Sequence, residues 1–412
     1  MKTVKLALAA FLALSLGMQT AQAAAPAPVS AEHGMVVSAH RLASDAGVEV
    51  LRKGGNAVDA AIAVAYALAV TFPEAGNIGG GGFMTIRLHD GRQTFIDFRE
   101  TAPQAATASM YQDANGNVIP GLSTRGYRAV AIPGTVAGLE LARTRYGSRP
   151  RAALMAAAIR LARDGFVLDH GDAQFLNEGA ADFAKDAPSA RIFMKNGRPW
   201  QKGDTFVQAD LSRMLQAIST KGAPAFYTGE IAQRIVAASR THGGVMTLAD
   251  FAAYRAVERK PVECNYRGYH IVSAPLPSSG GVVICETLNI LSGYPLGALG
   301  FHSAQGVHYM TEALRRAFHD RNVNLGDPDF VKVDVGRFVS PAYAATLRAG
   351  IAADTATPSL SLGLPGSGHE GTNTTHFSIV DAQGNAVSLT YTLNDWFGAR
   401  VTPAGTGILL ND

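Results

Sequence analysis

From Asn56 to Val70 nearly every position is Ala, Val, Ile, Leu or Tyr, with Asn56 and Asp59 the exceptions. A stretch so apolar all round predicts a helix buried on most sides, not an amphipathic surface helix. Ser44 to Arg52 reads as the helix before it, and Gly54-Gly55 as the break between them. Residues 83–88 and 94–98 carry strand-like alternation around the turn His89-Asp90-Gly91. Helical spacing returns at Thr135–Arg145, Arg151–Asp164, 209–219 and 230–241, and Thr247–Tyr254 opens with a Thr ahead of Asp250, close to a capping box. A strand region near 262–273 and helices near 282–292 and 303–321 come next. Pro, Ser, Gly and Thr between Asp354 and Gly371 give a loop. The chain closes with a buried strand that begins at a hydroxyl residue, Thr374, then a turn at Asp381–Gly384, then a second strand rich in β-branched residues from Val387. Helices flanking runs of strands predict an α/β (α+β) class, with sheets covered by helices and no βαβ repeats.

Composition sharpens this only at the ends. With 412 residues, 47% hydrophobic and 17% charged, the chain is globular and long enough for one large domain or two. Lys2 and Lys5, the apolar run Leu6–Leu16 and the small-residue site Ala21-Gln22-Ala23 predict a secretory signal peptide over 1–23. The apolar run is too short to span a bilayer, so no membrane span is expected once it is removed, and the product is exported, periplasmic or secreted. Its loss takes two lysines from a net charge of +3, leaving +1. No basic cluster with interleaved aromatics suggests nucleic acid. Cys264 and Cys285 could pair in an exported chain, but Cys285 sits in an apolar helix-like run where a buried free thiol is the favoured reading.

The candidate chemistry lies near the end. Threonine is a poor nucleophile without a base, and cutting the chain before it supplies one in its own α-amine. Thr374 is the candidate, although Thr pairs on strands usually just pack. Thr392 and Asn394, spaced by two, face one side if they lie on a strand. They could equally be a strand end with a polar turn. Arg99, in Asp97–Pro103, follows a strand; it is either paired with Asp97 or Glu100 or offers a guanidinium fork to a carboxylate. Gly79–Gly82 lacks the Lys-Ser/Thr of a phosphate loop and reads as close backbone packing. Ser279, in Pro277–Gly281, reads as a helix cap. His376 reads as structural, and the 11 histidines show no metal spacing.

Gly54–Ala67, Gly76–Met84, Asp97–Pro103, Ile132–Gly138, Pro277–Gly281 and Asn373–Asn394 stand in an order that resembles the gamma-glutamyltransferase (gamma-glutamyltranspeptidase) family of N-terminal-nucleophile hydrolases. The resemblance implies an αββα sandwich. It also implies a precursor cut at Asn373–Thr374 into a large subunit, 24–373, and a small one beginning at 374, which remain together as a heterodimer. Thr374 would form a γ-glutamyl-enzyme from donors such as glutathione and pass the acyl group to amino acids, peptides or water, with no metal or organic cofactor. Thr392 would sit beside the nucleophile; Arg99 would take the donor α-carboxylate and Asn394 its glutamyl head. Family members continue well beyond Asn411, so the chain is expected to stop within the small subunit, leaving the sandwich incomplete. An inactive, unprocessed remnant and a related β-lactam side-chain acylase are the alternatives.

Overall fold

The computed structural model describes residues 28–363 and 373–412. The expected signal peptide, 1–23, and residues 364–372 of the loop lie outside them. Residues 28–33 carry no helix or strand, and every element belongs to the unit Gly34–Asp412.

That unit is built on one antiparallel sheet of six strands. In chain order these are β1 (Gly34–Val37), β2 (Gly81–Arg87), β3 (Gln93–Asp97) and β4 (Val257–Arg259), then, past a separate ribbon, β7 (Thr375–Asp381) and β8 (Ala386–Thr392). The separate ribbon pairs β5 (Val262–Tyr266) with β6 (Tyr269–Ser273). The sheet order β1-β7-β8-β2-β3-β4 puts the final hairpin in the middle, with β1 and β2 as its outer neighbours. In β7, Thr375, Phe377, Ile379 and Asp381 are buried while His376, Ser378 and Val380 are exposed, so the expected buried strand is buried on one face only. Of the expected αββα arrangement, the described residues thus form one sheet with helices on one of its faces.

The buried face packs on α2 (Ala57–Thr71), in which every residue is buried. Around it lie α1 (Arg41–Arg52), α3 (Thr135–Tyr146) and α4 (Arg151–Asp164), so the all-apolar helix has neighbours on each side, as its composition demands. Its start is fixed twice. Asn56 and Asp59 form a capping box, and the Ala57 N–H donates to Asp381 Oδ2 at 2.9 Å. Asp381 also accepts from the backbone N–H groups of Gln383 and Asn385, both at 3.0 Å. Gly384, at φ +86°, closes this turn. The Asp381–Gly384–Asn385 pattern therefore builds the hairpin and nails it to the core helix.

A second helical group comprises α5 (Gly280–Leu291), α6 (Ala304–Asn324) and α7 (Pro341–Ala349), with the β5–β6 ribbon against α5. Here the structure corrects two expectations. Cys264 on β5 and Cys285 on α5 form a disulfide, so Cys285 is buried but not free. The strand and helix pack face to face, which no spacing of two cysteines could reveal. Ser279 stands at the N-terminus of α5 without a side-chain cap bond; its Oγ accepts from Arg321 Nε at 3.0 Å instead. Thr247 does close a capping box with Asp250. Among the described residues no helix is long and apolar enough to cross a membrane.

Candidate active site

The site forms where β8 ends beside the start of β7. Thr374 is exposed and directly precedes β7, correcting the expectation that the strand begins with it. Its Oγ1 donates to Thr392 Oγ1 at 3.3 Å. Thr392, the last residue of β8, is buried, and its hydroxyl donates to the Asn373 carbonyl at 2.8 Å. It also accepts from the Asn394 N–H at 2.9 Å. A hydroxyl has one hydrogen to give and room to accept two, and here all of that capacity is used. One side chain therefore touches both the hydroxyl and the carbonyl on either side of the Asn373–Thr374 bond.

Asn394 does not share a strand with Thr392. The chain leaves β8 and turns through Asn394 at φ +77°, a left-handed conformation that Asn tolerates better than most residues. The turn brings its Oδ1 to Arg99 NH2 at 3.0 Å, and its Nδ2 donates to the Asp412 carbonyl. Arg99 follows β3. Its other terminal nitrogen lies 3.2 Å from Glu100 Oε2, and its guanidinium sits 5.9 Å from the Phe83 ring centre. Asp97 does not pair with that guanidinium: it takes the Arg99 backbone N–H, and its second oxygen bonds Arg259 at 2.8 Å. The Glu100 side chain is buried, and burial raises its carboxyl above the ordinary range while Arg99 pulls the other way. Thus Thr374, Thr392, Asn373, Asn394 and Arg99 form one hydrogen-bonded series from three separate stretches of chain.

Gly79–Gly82 is the floor that lets these stretches meet. A Cβ on Gly80 would stand 2.1 Å from the Thr392 carbonyl, and one on Gly82 2.3 Å from that of Thr390. Only glycine permits such backbone approach. Asn77 Oδ1 accepts from the Gly80 N–H at 2.9 Å and from Thr135 Oγ1 at 2.7 Å. His376 lies on the exposed face of β7, bonded through Nδ1 to Thr390 Oγ1 at 2.7 Å; burial lowers its pKa. It is not among the groups that touch Thr374. Among the described residues no cluster of three His, Cys, Asp or Glu could hold a metal.

Sequence reasoning missed Asp395, which follows Asn394 and bonds Asn373 Nδ2 at 3.3 Å. It missed as well Asp412, whose Oδ1 accepts the Asp395 N–H at 2.9 Å and whose carboxyl burial pushes up to about 6. Neither residue carried a local pattern that could have found it.

A hydroxyl directly ahead of a central strand and beside a glycine floor is an arrangement that suits acyl transfer to a hydroxyl nucleophile. The model of the gamma-glutamyltranspeptidase family matches residues 43–412, and the chain belongs to that family. It is 59% identical over 403 residues to the "Glutathione hydrolase proenzyme" of Pseudomonas sp. (strain A14), covering 97% of this chain and 70% of the relative. It is 43% identical over 391 residues to the "Acylase ACY 1 proenzyme" of Pseudomonas sp. (strain V22), covering 93% and 70%. The crystal structure of Helicobacter pylori gamma-glutamyltranspeptidase superposes with a TM-score of 0.80 at 44% identity, covering 84% of this chain and all of that one.

Proposed function

We propose that the chain is the precursor of an exported γ-glutamyl acyltransferase and glutathione hydrolase with Thr374 as its nucleophile. The observation that carries this is the placement of the Thr392 hydroxyl against both Thr374 Oγ1 and the Asn373 carbonyl. In the uncut chain, Thr374 Oγ1 attacks that carbonyl and the amide becomes an ester as the acyl group shifts from N to O. Water then hydrolyses the ester, leaving a carboxylate on Asn373 and a free α-amine on Thr374. Thr392 polarises the carbonyl throughout, since its hydrogen already points at the oxygen on which charge develops. The products are a large subunit, 24–373, and a small one starting at Thr374.

The new amine then serves as the base for its own hydroxyl. Thr374 Oγ1 attacks a γ-glutamyl carbonyl, the donor's amine leaves with a proton, and a γ-glutamyl ester remains on the enzyme. An amino acid, a peptide or water takes the acyl group. Arg99 offers the donor α-carboxylate a fork of N–H groups, held in plane by Asn394 Oδ1 and the Phe83 ring. The secretory pattern of residues 1–23 supports export to the periplasm or beyond.

A β-lactam side-chain acylase is the second reading, since a relative of similar coverage carries the name acylase. The Arg99–Asn394 pair favours an amino-acid donor over it. Purified chain should split on a denaturing gel into fragments meeting at 373/374, and Thr374→Ala should leave it whole. Release of aniline from a γ-glutamyl anilide would support the transferase reading. Release of a β-lactam side chain alone would favour the acylase, and an intact, inert chain would leave an unprocessed remnant.

A further inference from the structure

We infer that Asp395 is a positioning residue for self-cleavage, acting through the side chain of Asn373; the inference rests on the function proposed above. Asn373 is held at its carbonyl and at its side-chain amide. Its carbonyl accepts from Thr392 at 2.8 Å, and its Nδ2 donates to Asp395 Oδ1 at 3.3 Å. The first contact belongs to the reacting bond. The second fixes the acyl residue against rotation about its own backbone, and so fixes the face that its carbonyl turns toward Thr374.

Asp395 is suited to this because it is itself immobilised. Its Oδ2 lies 3.2 Å from Arg125 NH1 and 3.8 Å from Arg400 NH1. Both arginines are tied in turn to Asp182, at 3.6 Å from Arg125 and 3.0 Å from Arg400. Its backbone N–H is taken by Asp412 Oδ1 at 2.9 Å. The turn that carries it runs through left-handed residues at Asn394, Phe397 and Arg400, with φ values of +77°, +62° and +57°. Non-glycine residues adopt such backbone only where their surroundings force it, and such sites gather at functional positions. The Asp182–arginine–Asp395 series supplies that force here. Asp395 has one oxygen committed to the arginines and the other to Asn373, so its effect on the scissile bond passes through the Asn373 amide.

The test is a double-mutant cycle on the rate at which the fragment starting at Thr374 appears, followed by mass spectrometry on freshly expressed full chain. Asp395→Ala and Asn373→Ala should each slow the cut by about 10-fold or more, since a misplacement of about 1 Å can cost roughly 100-fold. The double variant should be no slower than either single one, because both remove the same contact. Asp395→Asn keeps an oxygen for Asn373 and should cut faster than Asp395→Ala. Multiplicative losses in the double variant, or normal cutting by either single variant, would overturn the inference. If Asp395→Ala fails to fold by thermal melting, the comparison of Asn373→Ala with Asp395→Asn decides: normal cutting by Asn373→Ala refutes the role. Should the parent chain give no fragment starting at Thr374, the proposed function falls and this inference with it. Should the parent cut normally while the variants do too, only the inference falls.

Discussion

Around Thr374, polar groups from four stretches of chain meet in donor–acceptor pairs: Thr392 with the Asn373 carbonyl, Arg99 with Asn394, Asp395 with Arg125. Between α5 and α6 the arrangement is the reverse. Glu286 is fully buried, and neither of its oxygens meets a donor among the described residues. Its facing group is Asp320, whose carboxylate accepts from Asn324 Nδ2 at 3.0 Å and Tyr343 Oη at 2.7 Å. Burial, with the Asp320 charge second, holds the Glu286 carboxyl far above its ordinary range, so it stays protonated. One region fixes atoms by pairing them, which suits directional chemistry. The other tolerates a carboxyl only by keeping a proton on it, which ties that region to pH.

Substitutions on each side sharpen the contrast. The largest effect belongs to Thr392→Val, which keeps the shape and removes the hydroxyl hydrogen aimed at the Asn373 carbonyl. Self-cleavage should slow by about 100-fold, the usual cost of one lost oxyanion donor. Time-resolved gels check it, and an unchanged rate would remove Thr392 from the site. Next comes Arg99→Lys, where a point charge replaces a fork: the KM for a γ-glutamyl anilide should rise roughly 10- to 30-fold with a smaller change in kcat. Steady-state kinetics at saturating acceptor give that split.

The smallest effect is on the other side. Because Glu286 has a raised folded-state pKa, its contribution is fully present below the unfolded value of about 4.5 and drains away as pH rises toward the folded one. Glu286→Gln mimics the protonated form, so it should match the parent near pH 4.5 and exceed it at pH 8 by about 1–2 kcal/mol. Thermal melts at the two pH values measure the difference. A variant less stable than the parent at pH 8 would show that the charged carboxylate has a partner there.

The elements legible ahead of the structure are those whose signal is local. Apolar spacing alone delimits α4, and two residues three apart mark the Thr247 box. The all-buried α2 follows from composition, since no exposed face can be drawn on Asn56–Val70. Thr374, Thr392, Asn394 and Arg99 are legible because each sits in a patterned segment. What escapes is non-local. The Cys264–Cys285 bond depends on how β5 lies on α5, and the Asp395 carboxylate pairs with Arg125, which arrives from a distant stretch. The short β1 gives no alternation to detect, yet it borders the central hairpin through pairs such as Val36 with Ile379.

That bordering would decide the fate of the two pieces if the chain is cut before Thr374 as proposed. The ribbon downstream of the break lies in the sheet's interior, hydrogen-bonded to β1 on one flank and to β2 along seven residue pairs on the other. Asp381 adds a grip on the first turn of α2. Severing one covalent link therefore frees an end but no fragment: to depart, the piece would have to unzip from two neighbours at once and strip the cover from the core helix. If the chain is cut as proposed, the two pieces would stay joined through the sheet, and the new amino group would belong to the residue directly ahead of β7.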